Sequence, residues 1–352
     1  MLPGRNLKSY IARIKKTSLP EIAYRINQAI TVQMMRVGVH AWKKAAKVPS
    51  LDEVIIDRLQ MPSLILEADS SVISLVMDGE VFRLNGDRDA LARFEATWSE
   101  AYFADISLDP NGPDIREVWE PARLQHLAIL LLYVHQNTHL PRLETFKAFI
   151  RDALFDWVRR NPFLTGLHYM SPMECGLRIP VFFYALRVLD NMSTDDRREI
   201  ITTLYLHAWW VQRNLSLYSS RGNHTICECI GLIFGGAIFR DFNTGQRWLR
   251  TGINLLIQEA YHQILDDGGP VEQSLYYHRF VLDLYWVAVD FLERNNLADL
   301  SDLRKRLIKG EEFLRSFEDG SGNIPSIGDS DDGFAVAPGV VPVRGERRWA
   351  HT

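Results

Sequence analysis

A short loop in the middle of the chain places a guanidinium, an amide and an imidazole close together. The stretch "SSRGNHTICE" contains Arg221, Asn223 and His224. Thr225 and Glu228 follow at the three-residue spacing with which a hydroxyl and a carboxylate cap the start of a helix. This cap does not need Asn223 or His224. They are either a turn-forming asparagine and a surface histidine, as is usual in loops, or side chains that face a ligand.

A second group of polar and aromatic residues occurs in "DDGGPVEQSLYYHRF". Tyr276, Tyr277 and His278 are consecutive, so on a helix they cannot all face one core, and at least one must point elsewhere. Glu272 lies three residues after Gly269. It is either a helix-start carboxylate, in a weaker version of the same pattern, or a residue that faces the ligand.

Further candidates lie near two earlier loops. Trp119 and Arg123 are four residues apart on a predicted helix, where an indole and a guanidinium can stack or can together bind a sugar ring and its carboxylate. A cation–π pair on the helix surface is the alternative. His168 and Tyr169 lie in "GLHYMSPME".

Known metal and cofactor motifs do not occur in the sequence. "IPSIGDSDDG" has three aspartates within four residues but lacks the length of an EF-hand loop, so a polar turn is favoured over a calcium site. There is no glycine-rich phosphate loop, zinc-protease motif or nucleophile elbow. We therefore predict neither a metal nor a cofactor.

Composition excludes several classes of partner. The chain has 352 residues and a net charge of −4, so nothing global attracts nucleic acid or an anionic membrane. We expect its three cysteines, at positions 175, 227 and 229, to be buried thiols. No apolar run is long enough to span a bilayer, and the basic N-terminal stretch lacks a signal-peptide core. These features alone predict a cytoplasmic protein.

Helical periodicity and regular loop spacing predict the fold. Apolar-periodic segments end at Asp109, Asn161, Asn214, Asp267 and Asp319, which are 52 or 53 positions apart. This period accommodates two helices and two connections, as in an array of helical hairpins with its loops on one face. The spacings Asp114–Glu117, Ser171–Glu174 and Thr225–Glu228 are taken as helix starts.

The two helices of each predicted hairpin differ in composition. The second helices, such as "GLRIPVFFYALRVL", are apolar around most of their circumference, whereas partners such as "FKAFIRDALFDWVRR" are mixed. This contrast favours an inner and an outer layer, and therefore a mainly α, (α/α) toroid. An open solenoid is the alternative.

We divide the chain into three parts. Residues 1–108 form an N-terminal segment with an amphipathic helix before residue 48 and a small β-hairpin that turns at Asp78–Gly79. Residues 109–334 form the toroid, and residues 335–352 form a tail or the start of a further domain.

Taken together, these motifs resemble the N-terminal toroid of the heparinase II/III family of polysaccharide lyases, which also includes alginate and oligoalginate lyases. The matching stretches are "VWEPARLQHLA", "WVRRNPFLTGLHYMSPMECGLR", "SRGNHTICECIGL", "DDGGPVEQSLYYHRFVL" and "IPSIGDSDDG". The resemblance covers roughly residues 98–334.

The resemblance implies β-elimination in a uronic-acid polymer. The C5 proton is removed and the 4-O-glycosidic bond breaks, which requires neutralisation of the uronate carboxylate. By resemblance Asn223 neutralises this carboxylate, and His224 assists or acts as base for one epimer. Tyr277 is the general acid or base, with Tyr276 as the fallback. The remaining substrate-binding candidates are Trp119, Arg123, His168, Tyr169, Arg221, Glu272, Tyr276 and His278.

The resemblance also implies a partner and a location. In the family a β-sandwich domain follows the toroid and contributes a further catalytic residue, whereas little sequence follows "GDSDDG" here. We therefore expect the sandwich to be absent and turnover by this chain alone to be doubtful. Secreted or periplasmic members of the family imply export, in contrast to the missing signal peptide.

Two other functions fit a cleft formed where the loops of successive hairpins meet on one face of the toroid. One is a carbohydrate-binding or exopolysaccharide-assembly protein without chemistry. The other is a hydrolase that uses paired carboxylates, with Glu120, Glu174 and Glu272 as candidates.

Overall fold

The computed structural model describes residues 17–36, 48, 54, 56–67, 73, 101–108, 114–190, 192–329 and 333–344. Contacts divide the chain into two compact units, Met1–Ala45 and Ala46–Thr352. In the first unit, helix α1 spans Leu19–Arg36, within the amphipathic segment predicted before residue 48. The hairpin predicted at Asp78–Gly79 lies outside the described residues.

The second unit is built mainly from helices. Its described elements are strand β1 (Leu64–Leu66) and helices α2 (Arg116–Ala122), α3 (Gln125–Gln136), α4 (Leu143–Arg160), α5 (Pro172–Val188), α6 (Thr194–Arg213), α7 (Asn223–Ile238), α8 (Asn243–Gln263), α9 (Leu275–Arg294) and α10 (Ser301–Arg315), followed by strand β2 (Val340–Pro342). Short 3₁₀ turns span Phe103–Asp105, Leu167–Tyr169 and Tyr218–Ser220.

The long helices form two layers. The inner helices α3, α5, α7 and α9 pack against one another in chain order, and each contacts the outer helix that follows it, α4, α6, α8 or α10. Almost every residue of α5 and α7 is buried, as expected of helices that are apolar around most of their circumference. The predicted mainly α class and its inner and outer layers are confirmed.

Small residues and aromatic rings set the spacing of the inner helices. Gly176 of α5 and Gly231 of α7 face each other so closely that a Cβ on Gly231 would lie 2.7 Å from the Gly176 Cα atom. Nearer the other end of the same helices, Phe234 packs on Phe183 at 5.5 Å and stacks on Phe291 of α9 at 4.0 Å between ring centroids. The two contacts between α5 and α7 place these helices parallel. Because Glu272, three residues before α9, also contacts Asn223 at the start of α7, α9 begins at the same end of the layer.

In the second and third loops, the asparagine at the end of the predicted segment has a structural role. Asn161 directly follows α4 and donates from Nδ2 to the Trp157 carbonyl at 2.8 Å. Asn214 directly follows α6 and donates in the same way to Trp210 at 3.1 Å. The Asn214 backbone N–H donates to Val211, so its side chain satisfies the Trp210 carbonyl, whereas Asn161 adds a second hydrogen bond to a carbonyl that already accepts from its own backbone N–H. Asp267 and Asp319 follow α8 and α10, and Asp109 lies outside the described residues.

A two-stranded sheet joins distant parts of the sequence. Strand β1 pairs antiparallel with β2, in the register Leu64↔Pro342 and Leu66↔Val340. Neither strand was predicted from the sequence, and β2 lies in residues 335–352, which were predicted to form a tail or the start of a further domain. Within the described part of the chain, no helix has the length and apolar character needed to cross a membrane.

Candidate active site

The Asn223–His224 pair lies in the first turn of an inner helix. Helix α7 begins at Asn223, with Gly222 as its N-cap residue. The Gly222 N–H donates to Thr225 Oγ1 at 3.3 Å, and this hydroxyl donates to the Ser216 carbonyl at 2.6 Å. The predicted helix cap at Thr225 is therefore wrong by three residues, since Gly222 is the N-cap residue and Thr225 stabilises the first turn from within.

Two buried carboxylates hold the loop before α7. Glu228, which was predicted to cap the helix, accepts hydrogen bonds from the Ser216 N–H at 2.6 Å and from Ser216 Oγ at 2.7 Å. Burial raises the pKa of Glu228 to about 8. Glu259 of α8 is fully buried and accepts from Arg221 Nε at 2.5 Å. Arg221 is therefore paired within the protein, although its side chain remains 33% exposed.

Sequence reasoning missed Glu259 and gave Glu228 the wrong role. Gln263 was also missed; its Nε2 donates to the Gly222 carbonyl and to Glu259 Oε2, both at 3.0 Å. A signal for Glu228 was present, because a lone carboxylate between Cys227 and Cys229 in an apolar inner helix needs a partner. No comparable signal marks Glu259 or Gln263, which lie on a mixed outer helix.

A third carboxylate joins the third and fourth loops. Glu272 Oε1 accepts from the Asn223 backbone N–H at 3.0 Å, and Glu272 Oε2 accepts from Asn223 Nδ2 at 3.1 Å. The helix-start interpretation of Gly269 and Glu272 is wrong, because α9 begins at Leu275 and Ser274 Oγ caps it by accepting from the Tyr277 N–H at 3.1 Å. Glu272 instead binds the residue predicted to neutralise the substrate.

The side chains nearest this link differ in exposure. Asn223 is 9% exposed, His224 is exposed, and Tyr276 and Tyr277 are half-buried in the first turn of α9. The Arg279 guanidinium lies 5.2 Å from the centroid of the Tyr276 ring. The structure therefore brings Asn223 and Glu272 into direct contact, with Tyr277 at the start of the neighbouring inner helix.

Arg123 and Glu174 form a buried ion pair, so neither side chain is available at the surface to bind a ligand. Arg123 Nε and Nη2 donate to the two carboxylate oxygens of Glu174 at 2.8 and 2.9 Å. Burial favours the neutral form of Glu174, but Arg123, with smaller contributions from Arg178 and His224, holds the pKa of its carboxyl below the usual value. The predicted helix start is confirmed, since Ser171 is the N-cap residue of α5, but Ser171 makes no side-chain cap bond and Glu174 is committed to Arg123.

Three aromatic candidates are buried in the protein. His168, Tyr169 and His278 are at most 3% exposed. Burial lowers the pKa of His168 to about 3 and that of His278 to about 4, and it raises the pKa of Tyr169. Tyr169 donates from its hydroxyl to the Asn161 carbonyl at 3.1 Å, and His278 Nε2 lies 3.2 Å from the Gly310 carbonyl. With Arg123, these residues support the loops and lack access to a substrate.

Trp119 anchors the first loop to the second. Its Nε1 donates to the Leu167 carbonyl at 3.0 Å, and the residue is half-buried. The predicted stacking of Trp119 on Arg123 is replaced by the ion pair of Arg123 with Glu174. Asp114, predicted to start a helix with Glu117, instead accepts from the Arg116 N–H and pairs with the Arg116 guanidinium.

The helix ends give this region a favourable field for an anion. Helices α5, α7 and α9 all begin here, and the N-terminus of a helix carries a partial positive charge and free N–H groups. In the portion of the chain that is described, no three His, Cys, Asp or Glu side chains cluster in a way that could hold a metal. The helix starts favour negative charge, and at α7 the Glu272 carboxylate already accepts from the Asn223 backbone and side chain.

Comparisons with known proteins place residues 138–333 in the heparinase II/III N-terminus model. A heparin-sulfate lyase of Bacteroides stercoris is 29% identical over 186 residues, which is 46% of this chain and 26% of that protein. A heparin-sulfate lyase of Bacteroides thetaiotaomicron is 31% identical over 102 residues, which is 28% of this chain and 14% of that protein. The chain thus matches only about a quarter or less of the length of these curated relatives.

A solved structure confirms the architecture. The crystal structure of heparinase III superposes with a TM-score of 0.53 at 18% identity, covering 84% of this chain and 47% of that protein. At this identity the likeness establishes the fold, and it agrees with the two-layer toroid described above.

Proposed function

Because the chain belongs to the heparinase II/III family, we propose that it forms the helical part of a lyase that cleaves a uronic-acid-containing polysaccharide by β-elimination. All three proposed catalytic residues, Asn223, His224 and Tyr277, lie within the residues that match the family model. The relatives are heparin-sulfate lyases, so a heparan-type glycosaminoglycan is the first substrate to test.

The observation that carries this proposal is the setting of Asn223. Its backbone N–H and its side-chain amide both donate to Glu272, and it lies at the first position of an inner helix beside the exposed His224. An amide at a helix N-terminus suits a carboxylate better than a neutral hydroxyl, because both the donor and the helix dipole favour negative charge.

The proposed chemistry starts at the acidic sugar. Asn223 and His224 donate hydrogen bonds to the uronate carboxylate, which lowers the cost of placing negative charge on it as the C5 proton leaves. Tyr277, as phenolate, accepts this proton. The electron pair forms the C4–C5 double bond and expels the 4-O-linked sugar, whose oxygen receives a proton from a general acid. The product is an unsaturated uronate.

We propose that the same end of the inner helices contacts a second domain. The family resemblance implies a β-sandwich that covers the toroid and supplies a further catalytic group. In this proposal the described residues provide carboxylate neutralisation and one acid or base, and the second domain completes the cleft.

The proposed activity can be tested with three polymers. Heparan sulfate, alginate or hyaluronan is added to the protein together with its second domain, and release of the unsaturated product is followed by the ultraviolet absorbance of its conjugated acid. We expect the absorbance to rise with one of them. The Tyr277→Phe variant should lose this activity by about 100-fold or more and remain folded by circular dichroism, because only a hydroxyl is removed.

Other outcomes would point to other functions. Undiminished turnover by Tyr277→Phe would refute the role given to Tyr277. New reducing ends without the absorbance change would indicate a hydrolase. Saturable oligosaccharide binding without any product would favour a carbohydrate-binding or exopolysaccharide-assembly protein.

A further inference from the structure

We propose that Glu272 is a positioning residue that fixes the orientation of the Asn223 side-chain amide for its encounter with a substrate carboxylate. The inference rests on the proposed function. It changes the role of Glu272 from a group that binds substrate to one that acts through Asn223.

The hydrogen bonds define this orientation. A carboxylate can only accept hydrogen bonds, whereas an asparagine amide presents either a donor or an acceptor depending on its flip. Asn223 Nδ2 lies 3.1 Å from Glu272 Oε2 and 3.4 Å from Oε1, so the amide nitrogen faces Glu272. Both oxygens belong to one carboxylate, and one N–H can serve both. The second N–H of Nδ2 is then directed away from Glu272.

The surroundings keep Glu272 in place. Glu272 Oε1 also accepts from the Asn223 backbone N–H at 3.0 Å, which ties the carboxylate to the first turn of α7. A Cβ at Gly222 would lie 2.1 Å from the same oxygen, so the backbone closes directly over the carboxylate. Gln263 in turn holds the Gly222 carbonyl. This close packing favours a permanent support over a carboxylate that leaves when substrate binds.

The test compares two carboxylates of the same loop. Glu272→Gln keeps the size of the side chain but leaves a single acceptor oxygen for two donors of Asn223. Asp266→Asn is the matched control, because Asp266 is almost fully exposed and pairs with Arg306. With heparan sulfate as the probe, we expect Glu272→Gln to lower kcat about 10- to 100-fold with little change in KM. Asp266→Asn should change neither constant.

A measurement without substrate separates this inference from the proposed function. In protein labelled with ¹⁵N-asparagine, the Asn223 side-chain NH₂ signals are identified by their loss in Asn223→Asp. We expect these signals to shift clearly in Glu272→Gln and to stay in place in Asp266→Asn. If Glu272→Gln does not fold, Glu272→Asp, which withdraws the carboxylate by one methylene, should give the same shift.

Each result is decisive. Unchanged Asn223 signals in the Glu272 variant would overturn the inference. A kcat for Glu272→Gln no lower than that of Asp266→Asn would also overturn it. A rise in activity would overturn it too, and would mark Glu272 as a blocking group. If the protein together with its second domain releases no unsaturated product from any polymer, the proposed function fails, and the NMR comparison alone decides whether Glu272 orients Asn223.

Discussion

Gly222 is the residue whose replacement would disturb the Asn223 geometry with the smallest chemical change. Its φ is +156° with ψ of −154°, a conformation that side chains rarely adopt, and an added Cβ would displace Glu272 Oε1. We predict that Gly222→Ala lowers the free energy of unfolding by about 1–3 kcal/mol and lowers lyase activity as Glu272→Gln does. Urea denaturation measures the first effect and product absorbance the second.

Gly320 provides the control for this substitution. A Cβ at Gly320 would meet nothing within 4 Å. Gly320→Ala should therefore change the free energy of unfolding by no more than about 0.5 kcal/mol. Equal behaviour of the two alanine variants would mean that the backbone at Gly222 accommodates a side chain and that Glu272 has room to move.

At the scale of elements, the Arg123–Glu174 pair joins the end of α2 to the start of α5. Both side chains are at most 4% exposed, so loss of the carboxylate leaves a buried positive charge. We predict that Glu174→Gln costs about 3–5 kcal/mol of stability near neutral pH. Glu144→Gln is the control, because Glu144 is also in the first turn of its helix but is 70% exposed and pairs at the surface with Lys147.

The loss of unfolding free energy in Glu174→Gln should become smaller as the pH falls. The pKa of Glu174 is lower in the folded protein than its ordinary value of 4.5, so its stabilising effect is present above that value and is lost as the pH falls through the folded pKa. The difference in unfolding free energy between the native protein and Glu174→Gln should shrink in acid. A difference that is independent of pH would contradict the ion-pair explanation.

The helical layers and some helix starts, such as that of α5 at Ser171, could be predicted from the sequence, but the contacts made at those starts could not. Apolar residues around most of the circumference of α5 and α7 identified the inner layer, since burial on several sides requires that composition. The predicted capping contacts were wrong because spacing alone does not reveal which partner a carboxylate binds. Glu174 and Glu228 have capping spacing, yet each binds a partner from another segment, Arg123 or Ser216.

The candidate site shows the same limit. Asn223 and His224 were predicted to precede the helix, but they form the first turn of α7. This start depends on Gly222 and Glu272, which the chain brings together only on folding. His168 and His278 were indistinguishable from site histidines in the sequence. Their burial comes from packing against other helices and loops, which no local pattern encodes.

At the scale of the whole second unit, the segment after α10 connects the last inner helix to the first. The Leu275 N–H donates to the Ile327 carbonyl at 3.2 Å and Ser274 Oγ to the Asp329 carbonyl, both at the start of α9. Further along the segment, the Phe334 carbonyl accepts from Gln125 Nε2 of α3 at 2.6 Å. Strand β2 and β1 continue this connection. The segment therefore links α9 to α3.

Arg344 fastens the end of this segment, and its removal should loosen the second unit as a whole. It pairs with the buried carboxylate of Asp283 on α9 and lies 3.9 Å from Glu311 of α10. Burial raises the pKa of Asp283 even though Arg344 opposes this effect. We predict that Arg344→Ala costs about 2 kcal/mol in urea denaturation near neutral pH, because a buried carboxylate loses its cation.

Protonation of Asp283 and a second substitution at that residue should each reduce the loss of stability caused by Arg344→Ala. Without Arg344 the pKa of Asp283 rises further, so the penalty is present above the folded pKa, where the carboxylate is charged, and disappears as the pH falls below it. Arg344→Ala combined with Asp283→Asn should likewise be less destabilised than Arg344→Ala alone. Arg315→Ala, which removes a 63% exposed partner of Glu311, is the control and should have little effect. A double variant no more stable than Arg344→Ala would show that the arginine acts through packing of its stem and not through Asp283.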